Sequence, residues 1–307
     1  MPYSRIGKSL LEFNLEIMQR KILLIISIFV FITFSQTTNA QSKKKSDAES
    51  EGLRGKVKSV NEKYYIEKRI FFGLIPIKEE SSYEHKIYNK EGKLVFEKDI
   101  SDFREDNWNI SYYKYDNRGN CIEQIDSNYE DGSYYSRLWQ YTFNYDEKGN
   151  IIEKYVSLDG KHIEKYSFKY DNNGDYIEKI SSKFDDEIPP IKEILIRDNK
   201  GNIIERKEYS YFGNHRYVFK YDDKGNKIKE AFYNQGDTLS SGSLFDYNEK
   251  NDIIEQIDFF IYEIDTENNT LKFKYKYDSK GNWIKQIVYI NGSIEFIAKR
   301  KIKYYKD

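Results

Sequence analysis

The chain has 307 residues, and its 50 Lys and Arg against 51 Asp and Glu leave a formal net charge of −1 at pH 7. Without an excess of positive charge, the composition does not favour nucleic acid as a partner. Aromatic residues make up 17% of the chain and charged residues 33%, a combination that is typical of strands with one aromatic and one charged face.

The N-terminal residues have the pattern of a secretory signal peptide. Met18 is a plausible natural start; two basic residues, an apolar run at residues 22 to 34 and a small-residue exit at residues 38 to 40 follow it. The apolar run is shorter than the ~20 residues of a membrane span, although an uncleaved anchor is the alternative. Residues 1 to 40 are therefore expected to be upstream residues and a signal. The mature chain is expected to be exported (periplasmic, on the cell surface or secreted) and not to span a membrane.

Two further regions follow. Residues 41 to 54 are polar and lack apolar periodicity, which predicts a flexible linker. Residues 55 to 307 form a repeat domain in which aromatic and polar side chains alternate, as in residues 139 to 145, and this alternation indicates half-buried strands. Such strands lead into Asp-x-x-Gly, which suits a β-turn because Asp bonds the backbone and Gly tolerates positive φ. One copy has Asn251 instead of the Gly, and Asn is the next most tolerant residue.

The phrase around this turn repeats along the chain. It is clearest at residues 143 to 154, and the copies are roughly 24 to 30 residues apart, a spacing that indicates a repeat architecture. A second set of turn signals lies between these hairpins, at Asp131-Gly132, Asp159-Gly160, Gly213-Asn214, Gly236-Asp237 and Asn291-Gly292. Two alternating turn families predict an antiparallel up-and-down meander of about 18 strands. Because open twisted sheets rarely exceed ~10 strands, the sheet is expected to curve into a spiral, shell or barrel.

Each close copy has an Ile at the same place after the turn: Ile122, Ile152, Ile177, Ile204, Ile228, Ile254 and Ile284. With a four-residue loop, Phe143 would face Ile152 across the hairpin and the Ile would join the aromatic face. A three-residue loop with a bulge would turn the Ile to the opposite face. We favour the four-residue loop.

The Tyr-Asp-x-x-Gly-Asn phrase resembles the YD repeat of the Rhs and teneurin families. It is intact in four copies, which begin at Tyr115, Tyr145, Tyr221 and Tyr277. Departures are Arg197 in the Tyr position, Asn89 and Asn248 in the Asp position, and Asp175 in the final Asn position. The resemblance covers residues 55 to 307 and is to a short exported bacterial version that consists of the repeats only. It implies β-hairpins that spiral into a hollow shell, often described as sugar-binding.

The expected fold class is therefore all-β, a curved antiparallel meander of YD-type hairpins that forms a spiral or an incomplete shell. An outer-membrane barrel is the structural rival, since about 18 alternating aromatic-rich strands could also span a bilayer. In residues 151 to 156 and 203 to 208, however, charges occur at both parities, so neither face offers an uninterrupted apolar band. The shell is the favoured interpretation.

Residues suited to catalysis or metal binding are sparse. His85, His162 and His215 lie in different repeats without a metal-ligand spacing, and the single cysteine, Cys121, holds a position that varies between copies. Residues 171 to 175 suggest a calcium loop, but their Gly is fourth where an EF-hand requires it sixth. We predict no catalytic residue, metal site or cofactor. A hydrolase would need carboxylates that converge across repeats.

Five aromatic residues fall, by parity, on the face opposite Phe143 and Tyr145: Trp108, Tyr112, Tyr155, Tyr176 and Trp283. Flat rings beside Asn, Asp and Lys could stack on sugars and bond their hydroxyls, and covering the second face of the sheet is the alternative. The expected function is that of a non-enzymatic binding module of the bacterial cell envelope, with a glycan as the candidate ligand. The alternative is a protein-interaction scaffold that binds an envelope protein through sheet edges or the concave surface. The oligomeric state is left open.

Overall fold

A computed structural model describes residues 46 to 70, 75 to 102, 107 to 130, 132 to 184, 189 to 261 and 266 to 306. The predicted signal, residues 1 to 40, lies outside the described residues, as do residues 41 to 45 of the predicted linker. The described residues belong to one compact unit, residues 39 to 307. None of the helices in the described part of the chain is long and apolar enough to cross a membrane.

Within the described residues, one short helix, α1 (Asp47–Ser50), precedes the strands. The first nine strands are β1 (Val57–Ile70), β2 (Ile75–Tyr88), β3 (Leu94–Asp102), β4 (Asn107–Tyr115), β5 (Cys121–Glu130), β6 (Ser133–Tyr145), β7 (Ile151–Leu158), β8 (Lys161–Tyr170) and β9 (Tyr176–Lys183). The second nine are β10 (Ile191–Arg197), β11 (Ile203–Ser210), β12 (Gly213–Tyr221), β13 (Lys227–Tyr233), β14 (Leu239–Tyr247), β15 (Ile253–Ile261), β16 (Thr266–Tyr277), β17 (Trp283–Ile290) and β18 (Ser293–Tyr304).

These strands form a single closed sheet. Each pairs antiparallel with the strands before and after it in the chain, and β1 also pairs with β18 from Val57↔Tyr304 to Ile66↔Phe296. The prediction of an all-β, up-and-down meander of about 18 strands is confirmed, whereas the predicted spiral or incomplete shell is wrong because the sheet closes into a barrel. Closure gives every described strand two hydrogen-bonded neighbours, so no edge is left with unpaired backbone groups.

The Asp-x-x-Gly turns follow the even-numbered strands. In one copy the Gly149 N–H donates to the Asp146 carbonyl at 3.0 Å, and the Asn150 N–H donates to Asp146 Oδ1 at 2.8 Å. Gly149 has φ 86°, and Asn251, in the copy without Gly, has φ 60°. The repeated Asp therefore holds the turn through backbone hydrogen bonds, as the sequence predicts.

The residues after these turns are paired differently from the prediction. Tyr145 pairs with Ile151 and Phe143 with Lys154, so Ile152 lies at a bulge. The four-residue loop is wrong, because the first residue after the turn, rather than Ile152, takes the place beside the aromatic side chains. The Ile at the bulge is 37% to 39% exposed in several copies: Ile152, Ile177, Ile228 and Ile254.

The two faces of the sheet differ in burial. In β16, Leu271 is buried and Phe273 and Tyr275 are half-buried, whereas Lys272 and Lys274 are exposed. We call the face that carries Leu271, Phe273 and Tyr275 the aromatic face, and the face that carries Lys272 and Lys274 the lysine face. On the concave side of a closed sheet the side chains converge and shield one another. The more buried aromatic face therefore lines the inside of the barrel.

A cluster of buried apolar residues lies at the end of the barrel that carries the Asp-x-x-Gly turns, which we call the Asp-turn rim. It combines residues of the N-terminal segment with those of β1 and β2: Ala48, Leu53, Val57, Val60 and Tyr88. Residues 46 to 54, expected to be part of a flexible linker, are ordered as α1 and the segment that follows it, with a capping box formed by Ser46 and Glu49. They are ordered because Ala48 and Leu53 bury apolar surface at the rim, while Asp47 Oδ2 accepts a hydrogen bond from the Leu94 N–H at 2.8 Å.

Candidate functional site: an exposed aromatic patch

Six aromatic side chains lie together on the lysine face of β2 to β6. The register brings them into neighbouring cross-strand positions. We call them the aromatic patch: Tyr83, Phe96, Trp108, Tyr112, Tyr129 and Tyr134. Two of the predicted residues, Trp108 and Tyr112, are therefore brought into one surface.

Trp108 is the centre of one half of the patch. Its ring stacks on Tyr129 at 6.2 Å between centroids and 13° between planes, and Tyr134 lies 6.1 Å away at 52°. Tyr134 is 61% exposed, and its hydroxyl donates to Ser127 Oγ at 3.2 Å. Packed neighbours thus fix the orientation of the indole beside an open tyrosine ring.

Tyr112 is the exposed ring of the other half. It is 52% exposed and packs edge-on against Phe96 at 5.2 Å, and Phe96 in turn contacts His85 at 5.7 Å. Burial lowers the pKa of His85, and the nearby Lys303 and Lys98 lower it further. His85 is therefore a neutral hydrogen-bonding group near pH 7.

The patch combines flat rings with a few polar groups. Trp108 and Tyr112 are four residues apart on β4, which places them ~13 Å apart along the strand. The hydroxyls of Ser127 and Ser136, 3.4 Å apart, lie on the neighbouring strands β5 and β6. Such a surface can stack on the apolar face of a ring and bond to its substituents.

Tyr155 lies outside the patch, in a smaller cluster on the same face. Its ring is 5.9 Å from His162 and 6.5 Å from Phe184, and its hydroxyl donates to Glu153 at 3.0 Å. A hydrogen bond from Lys165, with further bonds from Asn144 and Tyr155, lowers the pKa of Glu153 to about 2. This cluster and the patch form two separate surfaces.

Tyr176 and Trp283 lie on the aromatic face, so the prediction that they lie opposite it is wrong. The Trp283 ring is 6.3 Å from Tyr275 and carries the Arg300 guanidinium at 3.5 Å from its centroid. Tyr176 packs edge-on against Phe168 at 6.0 Å. Both are the first residue of a strand, where the bulge turns the side chain onto the aromatic face.

Four members of the patch were not predicted: Tyr83, Phe96, Tyr129 and Tyr134. Tyr129 and Tyr134 stand symmetrically about the Asp131-Gly132 turn signal and pair across the hairpin. Both could have been found from the sequence by counting equal numbers of residues on each side of that turn. Tyr83 and Phe96 could not, because they reach the patch through the register of β2 and β3.

Other chemistry in the described residues is limited. No three His, Cys, Asp or Glu side chains within the described ranges are arranged to hold a metal ion. Cys121 is half-buried, and burial raises the pKa of its thiol. The contacts of His162 are structural: its Nδ1 lies 2.8 Å from Ser157 Oγ, and its ring packs beside that of Phe184. The aromatic patch is therefore the candidate site.

Comparisons with known proteins give no family. No model of a known protein family matches the sequence, and no curated protein matches it. A crystal structure of a porin-like protein from Bacteroides uniformis ATCC 8492 shares 10% identity at a TM-score of 0.41, over 80% of this chain and 96% of the other. A Tc holotoxin pore from Photorhabdus luminescens shares 13% identity at a TM-score of 0.34, over 71% of this chain and 12% of the toxin chain.

A crystal structure of TcdB2-TccC3 shares 13% identity at a TM-score of 0.34, over 76% of this chain and 12% of the other. This chain thus spans about an eighth of these toxin chains. At TM-scores below 0.5 we draw neither a family nor a function from these likenesses. The resemblance to YD repeats stays a prediction from the sequence.

Proposed function

We propose that this protein is a non-enzymatic carbohydrate-binding protein whose ligand lies on the aromatic patch. The observation that carries the proposal is the packing of Trp108, which is stacked at 13° on Tyr129 beside the exposed ring of Tyr134. A sugar ring has an apolar face for such a platform and hydroxyls for the polar groups around it. Because the rings are held by their neighbours before the ligand arrives, little side-chain entropy is lost on binding.

The polar groups around the platform support the same ligand class. Ser127 and Ser136 supply hydroxyls. Lys98, which the register places between His85 and Ile110 on the same face, supplies an ammonium group beside the patch. The serine hydroxyls both donate and accept hydrogen bonds and the lysine ammonium donates them, which matches the mixed character of sugar hydroxyls. A purely apolar partner would make no use of them.

The competing proposal is a protein-interaction scaffold. The version of it that binds partners through sheet edges has less support. Every strand in the described part of the chain is paired on both sides, so none can extend into a partner's sheet. We place the carbohydrate-binding function in the cell envelope because of the N-terminal sequence pattern alone.

The proposal is tested by screening the full chain on a glycan array. A glycan that binds is then titrated into the protein while the tryptophan fluorescence is measured. Trp108→Ala is expected to weaken binding by about 2 kcal/mol, roughly thirtyfold, because it removes the platform. Tyr134→Ala, which removes a largely exposed ring and leaves the fold intact, is expected to weaken it as well.

Trp283→Phe is the matched control, because Trp283 lies on the aromatic face away from the patch. It is expected to leave both affinity and fluorescence quenching unchanged. Full affinity in both patch variants would overturn the proposal. So would a folded chain that binds no glycan on the array, and pull-down from an envelope extract would then follow.

A further inference from the structure

Four lysines stand directly opposite one another on four neighbouring strands of the lysine face. The register pairs them in sequence from β16 through β17 and β18 to β1: Lys276, Lys285, Lys299 and Lys63. We call them the lysine row. Because neighbouring strands lie ~4.8 Å apart, the row crosses ~14 Å of the barrel wall.

Three of the four lysines in the row have no carboxylate partner among the described residues. Lys63 pairs with Glu80 at 2.9 Å, but within the described ranges Lys276, Lys285 and Lys299 form no ion pair. Three more exposed lysines flank the row on the same face, also without a carboxylate partner among described residues: Lys274, Lys301 and Lys303. Like charges directly opposite one another destabilise a sheet, so this arrangement is unfavourable until an anion arrives.

The lysine row runs directly into the aromatic patch. Lys63 pairs with Tyr83, and the same cross-strand line continues through Ile100 on β3 to Trp108 on β4. It ends with the Tyr129–Tyr134 pair on β5 and β6. The line thus crosses nine strands, from β16 to β6, over ~38 Å.

We infer that the lysine row and the aromatic patch form one continuous track for an acidic polysaccharide. The inference rests on the proposed carbohydrate binding and adds the substrate class, a chain of sugars of which some bear a carboxylate or sulfate. Sugar rings stack on Trp108 and its neighbours, and acid groups bond to the ammonium groups of Lys285 and Lys299. The anion relieves the repulsion between the lysines, which gives the track its selectivity for charge.

The division of the track favours a polysaccharide over a nucleic acid. A nucleic acid carries a phosphate on every residue and is held by cations along its whole length. Here cations occupy the half from β16 to β1, and the line from β2 to β6 holds Tyr83, Ile100 and Trp108 instead. A polysaccharide with acid groups on part of its length fits both halves.

Partly methyl-esterified polygalacturonate, a uronic acid polymer with free acid groups on part of its length, and the fully methyl-esterified polymer provide a matched pair of probes that differ mainly in charge. Their affinities for the full chain are measured by isothermal titration calorimetry at low and high NaCl. The test variant is Lys285→Gln with Lys299→Gln. The control variant is Lys220→Gln with Lys229→Gln, which removes another directly opposed lysine pair, on β12 and β13.

The test variant is expected to bind the partly esterified polymer about tenfold more weakly, as two charge contacts on the lysine face are lost, and with less dependence on salt. Its affinity for the fully esterified polymer is expected to be unchanged, and the control variant to match the unmodified chain with both probes. Equal weakening by the test and control variants, or equal affinity of the unmodified chain for both probes, would overturn the inference. Equal affinity for double-stranded DNA would overturn the choice of a polysaccharide.

Trp108→Ala separates this inference from the function on which it rests. It is expected to weaken binding of both probes. If it does so while the lysine variant changes nothing, carbohydrate binding by the patch stands and the acidic track fails. If it leaves both affinities unchanged, the proposed function fails and the track fails with it.

Discussion

Arg300 Nε donates to Glu62 Oε2 at 2.6 Å across the seam where β18 meets β1. Glu62 is 2% exposed, and burial raises the pKa of its carboxyl, although the Arg300 charge acts in the opposite direction. The two residues are direct cross-strand partners. The ion pair therefore bridges the first and last strands where they close the barrel.

Replacing Arg300 is expected to weaken the closed barrel strongly. Arg300→Met leaves the buried Glu62 carboxylate without its cation, and we expect a loss of about 3 to 5 kcal/mol in the free energy of unfolding, measured with urea. Lys272→Met, which breaks the exposed pair with Glu255, is the control and is expected to lose less than about 1 kcal/mol.

The pH dependence of the Arg300→Met variant has a definite sign. The folded-state pKa of Glu62 is raised, so the charged carboxylate opposes folding, and stability recovers as the pH falls through that pKa. Adding Glu62→Gln to Arg300→Met is expected to restore most of the loss at neutral pH. If Arg300→Met alone were as stable as the unmodified protein, the Glu62–Arg300 pair would contribute nothing to the stability of the closed barrel.

Asn282 fastens the N-terminal segment to the last Asp-turn. It is 2% exposed; its Oδ1 accepts from the Arg54 N–H at 2.7 Å, and its Nδ2 donates to the Arg54 carbonyl at 2.8 Å and to the Tyr304 hydroxyl at 2.7 Å. Asn282→Ala leaves the backbone groups of Arg54 without these partners. We expect a loss of about 2 to 3 kcal/mol in thermal or urea unfolding.

Asn150 is the matched control, since it holds the same place in another copy and, among the described residues, its side-chain amide bonds only within its own turn, to Asp146 at 2.9 Å. Asn150→Ala is expected to lose about 1 kcal/mol or less. Equal losses at the two positions would mean that the hydrogen bonds from Asn282 to the N-terminal segment add no stability.

The strands could be predicted from the sequence because alternation and turn chemistry are local. Closure could not, because it depends on pairing Val57 with Tyr304, which no local pattern reports. The candidate site was predicted in part. Trp108 and Tyr112 lie upstream of the Asp-turn, where strict alternation along the strand assigns each side chain to the correct face. Trp283 follows the turn, where one extra residue in the bulge changes the face of the side chain.

The Asp-turns are expected to make the fold sensitive to acid. Hydrogen bonds from the Asn150 and Asn226 side chains and from backbone N–H groups lower the pKa of Asp146 and Asp222 below their ordinary 3.8. A lowered folded-state pKa contributes stability above pH 3.8 that is lost as the pH falls through the folded value. The melting temperature, followed from pH 7 to below pH 3, is therefore expected to drop at the acid end.

Asp146→Asn combined with Asp222→Asn tests this origin. Asn248 already forms the same turn, accepting from the Lys250 N–H at 2.8 Å, so an amide can replace the carboxylate. The double variant is expected to fold normally at pH 7 and to lose less stability in acid. An unchanged acid profile would assign the sensitivity to other carboxylates.

The seam between β9 and β10 is expected to open before the one between β18 and β1. Among the described residues, four pairs join β9 and β10, from Ile191↔Ser181 to Ile194↔Glu178, whereas nine pairs join β18 and β1. Two prolines, Pro189 and Pro190, precede β10 and have no N–H to extend the pairing. In hydrogen exchange followed by mass spectrometry, amides of residues 191 to 194 should therefore exchange sooner than those of residues 61 to 66. The opposite order would place the weak point of the barrel at the junction of the chain ends, where Glu62 and Arg300 close it.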